Sequence, residues 1–301
     1  KGNFHPDCRK LSRLGYNVVR FHHLDMRKSP DGIWDETMES FDPEQVEKLD
    51  WLIYQLKEKG IYTNLNLHVS RWYPGLEEMN YEGRKFHFGK SIDQFYGPYI
   101  DLQKDYARQL LTHRNPYTGT PYTDEPAVAF VEINNENSLL SNWNYLPMLK
   151  GEHREALSRQ WDDWLTNEGN SSEYDIFWIS ENYDSLANRE QKEMFWSFLM
   201  ETELAYAREM TDFLRDELHV KALISETQAS YSGVAGVLRE AEYADFIDLH
   251  SYWEHPKFPG TAWSRTDWFI RNSSMVSDKE SGTLDRFGMH RVQGMPLTIS
   301  E

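Results

Sequence analysis

The stretch Ala127-Val-Ala-Phe-Val-Glu-Ile-Asn-Asn-Glu136 begins as an apolar run of strand length and ends on polar residues. A second run, Pro296-Leu-Thr-Ile-Ser300, ends on Glu301 in the same way. Two carboxylates therefore stand at the C-terminal tips of two strand-like segments, 165 residues apart (301 − 136). In a parallel barrel all strand tips converge on one face, so residues this distant in sequence can meet there.

Working outward, helix and strand signals alternate. Residues 4–14 read as the end of a helix stopped at Gly15, followed by a buried strand over 16–21. Asp42-Pro43-Glu44-Gln45 is a helix start, with Asp as cap, Pro in the first turn and Gln three residues on. That helix carries Val46, Leu49, Ile53 and Leu56 on one face and ends at Gly60, before a strand over 61–67. A helix over 99–113 and the turn-rich segment 115–121 lead to the strand that ends at Asn135-Glu136. A long excursion follows, with helices predicted over 152–166 and 191–218. Next come a strand over 222–225, a helix over 234–242 and a strand over 246–249. A long loop over 253–294 precedes the last strand. Repeated βα units predict a parallel sheet with right-handed crossovers. A doubly wound sheet would show a Gly-rich phosphate turn, and no G-x-G-x-x-G or Walker motif occurs. Polar residues gather instead at the ends of several strands, which favours an α/β (β/α)8 TIM barrel.

Composition narrows the function. The 301 residues suit one such barrel, and 39% hydrophobic content can fill its core. Lys and Arg number 32 against 49 Asp and Glu, a net charge of −17, which speaks against nucleic acid and anionic membranes as partners. No run of 18 apolar residues is present, so no membrane insertion is expected. The lone Cys8 excludes an intrachain disulfide and a Cys-rich metal site. Aromatic residues make up 14%, with 11 Trp, which suits a cleft where sugar faces lie on rings. A carbohydrate is the expected partner, and an extracellular or periplasmic location is the weakly favoured one.

Arg20 in the first strand, His68 after the second, Asn135 and Glu136 after the third, His250 and Tyr252 after the fifth, and Glu301 after the sixth form an ordered set of strand-tip residues. This set resembles the active-site residues of clan A glycoside hydrolases, most closely glycoside hydrolase family 5, the cellulase family. The resemblance runs from about residue 4 to 301. It implies that the visible strands correspond to barrel strands two to seven, with strand one before Lys1 and strand eight after Glu301. Residues 1–301 would then be a single catalytic domain, incomplete at both ends. It also implies a retaining β-glycosidase acting on a β-linked oligo- or polysaccharide by double displacement.

In that reading Glu136 is the general acid/base, and a partly desolvated site beside a second carboxylate raises its pKa. Glu301 is the nucleophile, kept ionised by Arg20 and Tyr252 as donors. Asn135 binds the sugar 2-hydroxyl. His68 and His250 bind the sugar or orient the carboxylates, and Trp253 contacts substrate. Trp72, Trp143 and Trp263 are further stacking candidates, and His22, His23 and Asp25 are placed at outer subsites. No metal or organic cofactor is expected. Glu226 is the rival nucleophile, since it too follows Ile-Ser, and strand order argues against it. Two other functions compete. One is a carbohydrate-binding barrel without catalysis. The other is a metal-dependent barrel of the amidohydrolase type using His22, His23, His68 and His250, although adjacent His22 and His23 point to opposite faces of a strand.

Overall fold

The computed structural model describes residues 8–29, 32–83, 85–228, 233–252, 254–277 and 283–300. Within them lie six strands, β1 Val18–Phe21, β2 Tyr62–His68, β3 Val128–Asn134, β4 Leu223–Ser225, β5 Ile247–Leu249 and β6 Leu297–Ile299. β1 to β4 form one parallel sheet in chain order, and β5 and β6 pair in parallel. A parallel bridge between Gln228 and Asp248 joins the two groups. All six strands thus follow one another in space as in sequence, the order a (β/α)8 barrel requires.

The helices are α1 Cys8–Arg13, α2 Pro43–Lys57, α3 Gly97–Leu111, α4 Gly151–Asn167, α5 Ile176–Asn182, α6 Arg189–Asp212, α7 Gly233–Glu240 and α8 Thr283–Met289. The start of α2 is the one its sequence predicts. The Asp42 carboxylate accepts from the Glu44 and Gln45 amides, satisfying two of the four orphan N–H groups of the first turn. The helix predicted over 191–218 ends its regular α form at Asp212 and closes with a wider turn over Phe213–Glu217. Sequence reading missed α5, only two turns long, and α8 inside the long loop.

Strand alternation sorts the side chains. Leu65, Leu67, Val131, Ile133 and Ile224 point outward and pack on Leu49 and Ile53 of α2, Leu110 and Leu111 of α3, and Met210 of α6. The opposite face of the sheet is polar: Arg20, Asn64, Asn66 and Glu132 bond one another directly. The excursion after β3 buries Leu157, Trp161, Phe177, Phe195 and Phe198 in a core shared with Tyr73, Ile92 and Tyr99 of the segment before β3, so it is packed rather than a loose loop. Among the described residues no helix is long and apolar enough to cross a membrane.

Candidate active site

The site begins where β3 ends. Its tip is laced to the neighbouring strands past the last ladder bonds. The Asn134 amide donates to the Glu226 carbonyl at 2.7 Å and the Asn135 amide to the His68 carbonyl at 2.8 Å. The Glu136 amide donates to Gln228 Oε1 at 2.5 Å and the Asn137 amide to Thr227 Oγ1 at 3.2 Å. Lys90 Nζ adds bonds to the Asn135 and Glu136 carbonyls at 2.8 and 3.3 Å. These contacts hold Glu136 at φ +48°, a left-handed conformation that non-glycine residues adopt at a cost of about 1–3 kcal/mol and that concentrates at functional sites. The Glu136 side chain is 26% exposed, and His250, 2% exposed, meets its Oε1 through Nδ1 at 2.9 Å. A carboxyl group reachable by a ligand and backed by a buried imidazole can carry a proton to and from that ligand.

Behind this pair lies a second layer. His250 Nε2 meets Ser300 Oγ at 2.8 Å, Ser300 Oγ donates to Asp248 Oδ2 at 2.5 Å, and Thr298 Oγ1 donates to Asp248 Oδ1 at 2.6 Å. Asp248 is fully buried. Neither Asp248 nor Ser300 was a sequence candidate. Asp248 alternates with His250 in the apolar run 246–249, and that buried acid two residues before the histidine was the available signal.

Among the described residues Arg20 reaches Glu132 and Asn135. Nε donates to Glu132 Oε2 at 2.8 Å and Nη2 to Asn135 Oδ1 at 2.7 Å. Its carboxylate partner among the described residues is therefore Glu132, inside the barrel. Asn64 and Asn66 each donate to Glu132 at 2.6 Å. Burial lifts the Glu132 pKa against the pull of Arg20, and the Asp248 charge adds to the lift. With Oδ1 anchored by Arg20, Asn135 keeps its amide N–H₂ for a ligand.

His68 departs from expectation. It is 2% exposed, with Nε2 2.5 Å from Asp93 Oδ2 and Nδ1 3.4 Å from Asp25 Oδ2. Both ring nitrogens face buried carboxylates, so neither is left for a sugar hydroxyl. His68 is a brace, and it fixes Asn135 through its backbone carbonyl. Asp25, placed at an outer subsite by sequence, is instead fully buried and accepts from the Val69 and Ser70 amides. The strand-end motif showed the position of His68, but two aspartates at no fixed spacing from it gave no sequence signal.

The brace makes stability depend on pH. Burial lowers the His68 pKa, but Asp93 and Asp25 outweigh it and hold it above the ordinary 6.5. Burial raises Asp25, but His68 and the two amides outweigh it and hold it below 3.8. The His68 contribution is therefore complete below pH 6.5 and fades as pH rises through its folded value. The Asp25 contribution is complete above pH 3.8 and fades as pH falls through its folded value. His68→Leu should cost about 3–5 kcal/mol between those limits, the loss expected when one partner of a buried ion pair is removed. Urea unfolding at several pH values checks this, and the deficit should shrink toward alkaline pH.

The remaining candidates divide. Tyr252 is 43% exposed, with its ring 5.0 Å from His255. Trp263 is 69% exposed, at φ +61°, with its ring 6.3 Å from His255 and 5.2 Å from Phe258. Trp143 is half-buried, with its ring packed against Tyr183, Phe195 and Trp196. Trp72 lies under the Arg27 guanidinium at 5.0 Å. His23 Nδ1 meets Ser70 Oγ at 2.6 Å, and the His22 ring lies against His23. Glu226, the rival nucleophile, is fully buried and paired with Arg239 and Tyr243, which leaves it no access to substrate. Glu301 and Trp253 lie outside the described residues.

No protein-family model matches the chain, and no curated protein matches it. Solved structures do. A β-galactosidase from the Antarctic haloarchaeon Halorubrum lacusprofundi superposes with a TM-score of 0.51 at 14% identity, over 82% of this chain and 37% of its own. The endo-1,4-β-mannanase of Rhizomucor miehei gives 0.49 at 16% identity, over 81% and 61%. The hyperthermostable endo-1,4-β-D-mannanase of Thermotoga petrophila RKU-1 gives 0.47 at 17% identity, over 81% and 62%. The chain thus spans less than two thirds of each of these proteins. Likeness at such identity speaks to fold and leaves function to the site. Six parallel strands in chain order, with polar residues gathered at their tips, agree with the galactosidase superposition: the chain has a (β/α)8 barrel fold.

Proposed function

We propose that the chain is the catalytic domain of a retaining β-glycosidase that hydrolyses a β-linked oligo- or polysaccharide. The observation that carries this reading is Glu136: a part-exposed carboxyl at a strand tip, held in left-handed backbone and backed by His250. Glu301 attacks the anomeric carbon while Glu136 protonates the leaving oxygen. Water activated by Glu136 then releases the sugar from the covalent intermediate with net retention. Asn135, oriented by Arg20, donates to the 2-hydroxyl of the bound sugar. Exposed Tyr252 and Trp263 offer ring faces to further sugar units along the loop after β5, with Trp253 between them in sequence. No cofactor enters these steps. A metal-dependent route would need His68 and His250, and each already has partners on both ring nitrogens.

The test is an NMR time course of hydrolysis of an aryl β-glycoside panel by the protein at full length. The β-anomer should form first. First appearance of the α-anomer would indicate inversion, and with it carboxyl groups about 6.5–9.5 Å apart rather than about 5–5.5 Å. Turnover unchanged by Glu136→Gln would favour the binding-only barrel.

A further inference from the structure

We infer that Asp248 and Ser300 fix His250 as the tautomer protonated on Nε2, so that its imidazole and Glu136 share one proton. An ionised carboxylate only accepts, and Asp248 accepts from both Thr298 Oγ1 and Ser300 Oγ. Each hydroxyl has a single proton and directs it to Asp248. Ser300 Oγ therefore presents only lone pairs to His250 at 2.8 Å, and Nε2 must be the donor in that contact. With Nε2 protonated, a neutral ring turns a lone pair at Nδ1 toward Glu136 Oε1, 2.9 Å away. One proton must then lie in that bond, either on Glu136 as the free acid or on Nδ1 as imidazolium.

The surrounding charges favour keeping that proton. Among the described residues the titratable groups facing His250 are Glu136 and Asp248, with Asp248 Oδ2 3.6 Å from Nε2. The Asp248 charge also raises Glu132 and Glu240, so the interior around it is predominantly acidic. Asp248 touches no reacting atom and is a positioning residue that acts through Ser300 and His250.

The catalytic consequence rests on the glycosidase reading, while the tautomer does not. In the first step the nucleophile carboxylate bonds to the anomeric carbon as the shared proton moves from Glu136 to the glycosidic oxygen, which leaves with the electrons of its bond to that carbon. In the second, Glu136 takes a proton from water as the water oxygen bonds to that carbon and the nucleophile carboxylate departs with its electrons.

The experiment is a two-bond ¹H–¹⁵N correlation titration of the full-length protein with ¹⁵N-labelled histidine, with the His250 signals identified by their loss in His250→Gln. Nε2 should stay protonated across the titration, whether the shared proton lies on Nδ1 or on Glu136. In Asp248→Asn the side-chain amide can donate to Ser300, whose hydroxyl then turns to Nε2, and the ring should switch to the Nδ1–H form. Ser300→Ala, which removes the relay atom, is the second variant should the first not fold. A parent ring protonated on Nδ1 alone, or a tautomer unmoved by either variant, overturns the inference. In kinetics, the alkaline limb of kcat/KM for Asp248→Asn should move down by about one pH unit, a tenfold loss above it. It should be largest for poor leaving groups and nearly absent for dinitrophenolate, which needs no proton. A protein inactive on every glycoside but with the expected tautomer would refute the glycosidase reading and leave the inference standing.

Discussion

Glu136→Gln should lower kcat on a β-glycoside with a poor leaving group by about 10²–10⁴-fold, the range that a positioned general acid contributes. The amide retains the shape and the contact with His250 but cannot give up a proton. The loss should therefore follow leaving-group pKa. For dinitrophenyl glycosides the first step survives and the second becomes limiting, so a burst of phenolate precedes a slow steady state. The Gln228, Lys90 and His68 contacts hold the backbone at this position rather than the side chain, so the melting temperature should stay within a few degrees of the parent. A uniform loss across leaving groups, with no burst, would mean that Glu136 has some other role.

The second large effect concerns stability. Arg239 of α7 is 4% exposed and pairs with Glu203 of α6 and Glu226 at the tip of β4, both fully buried. Tyr243 donates to Glu226 at 2.6 Å, Ser138 Oγ and the Leu140 amide donate to Glu203 at 3.1 and 2.9 Å, and the Glu226 amide donates to Glu240 at 2.9 Å. Burial and the nearby Glu226 charge push Glu240 well above the usual carboxylate range. Arg239→Leu removes the cation that Glu203 and Glu226 share and should cost about 3–5 kcal/mol. Urea midpoints at several pH values measure it. Glu226, like Glu240, is raised by burial, so protonation relieves the uncompensated charge, and the deficit should shrink as pH falls. A deficit independent of pH would mean that packing, not charge, accounts for the loss.

The pair Glu226 and Glu301 shows what the sequence could reveal and what it could not. Both follow Ile-Ser at the end of a short apolar run, so local pattern treats them alike. What sets Glu226 apart is Arg239, 13 residues on and brought over it by α7, a tertiary fact with no periodic signature. Strand order along the barrel was legible, because six apolar runs separated by helical or loop segments admit few topologies. The strand-tip positions of Asn135, Glu136 and His250 were legible for the same reason. The partners of His68 were not: Asp25 and Asp93 come from different loops, and a histidine one step past a strand reads equally as ligand or as brace. The packing of Trp143 was not legible either, because sequence cannot show which distant rings the excursion brings against it.

The lacing of residues 134–137 has an evolutionary corollary. Among the described residues, the bonds given above that set the backbone of the acid come from β2, β4, their following turns or Lys90 rather than from the excursion that follows it. That insert is consequently free to be lengthened, trimmed or exchanged among descendants of this scaffold, remodelling the walls around a bound polymer while the proton donor keeps its coordinates.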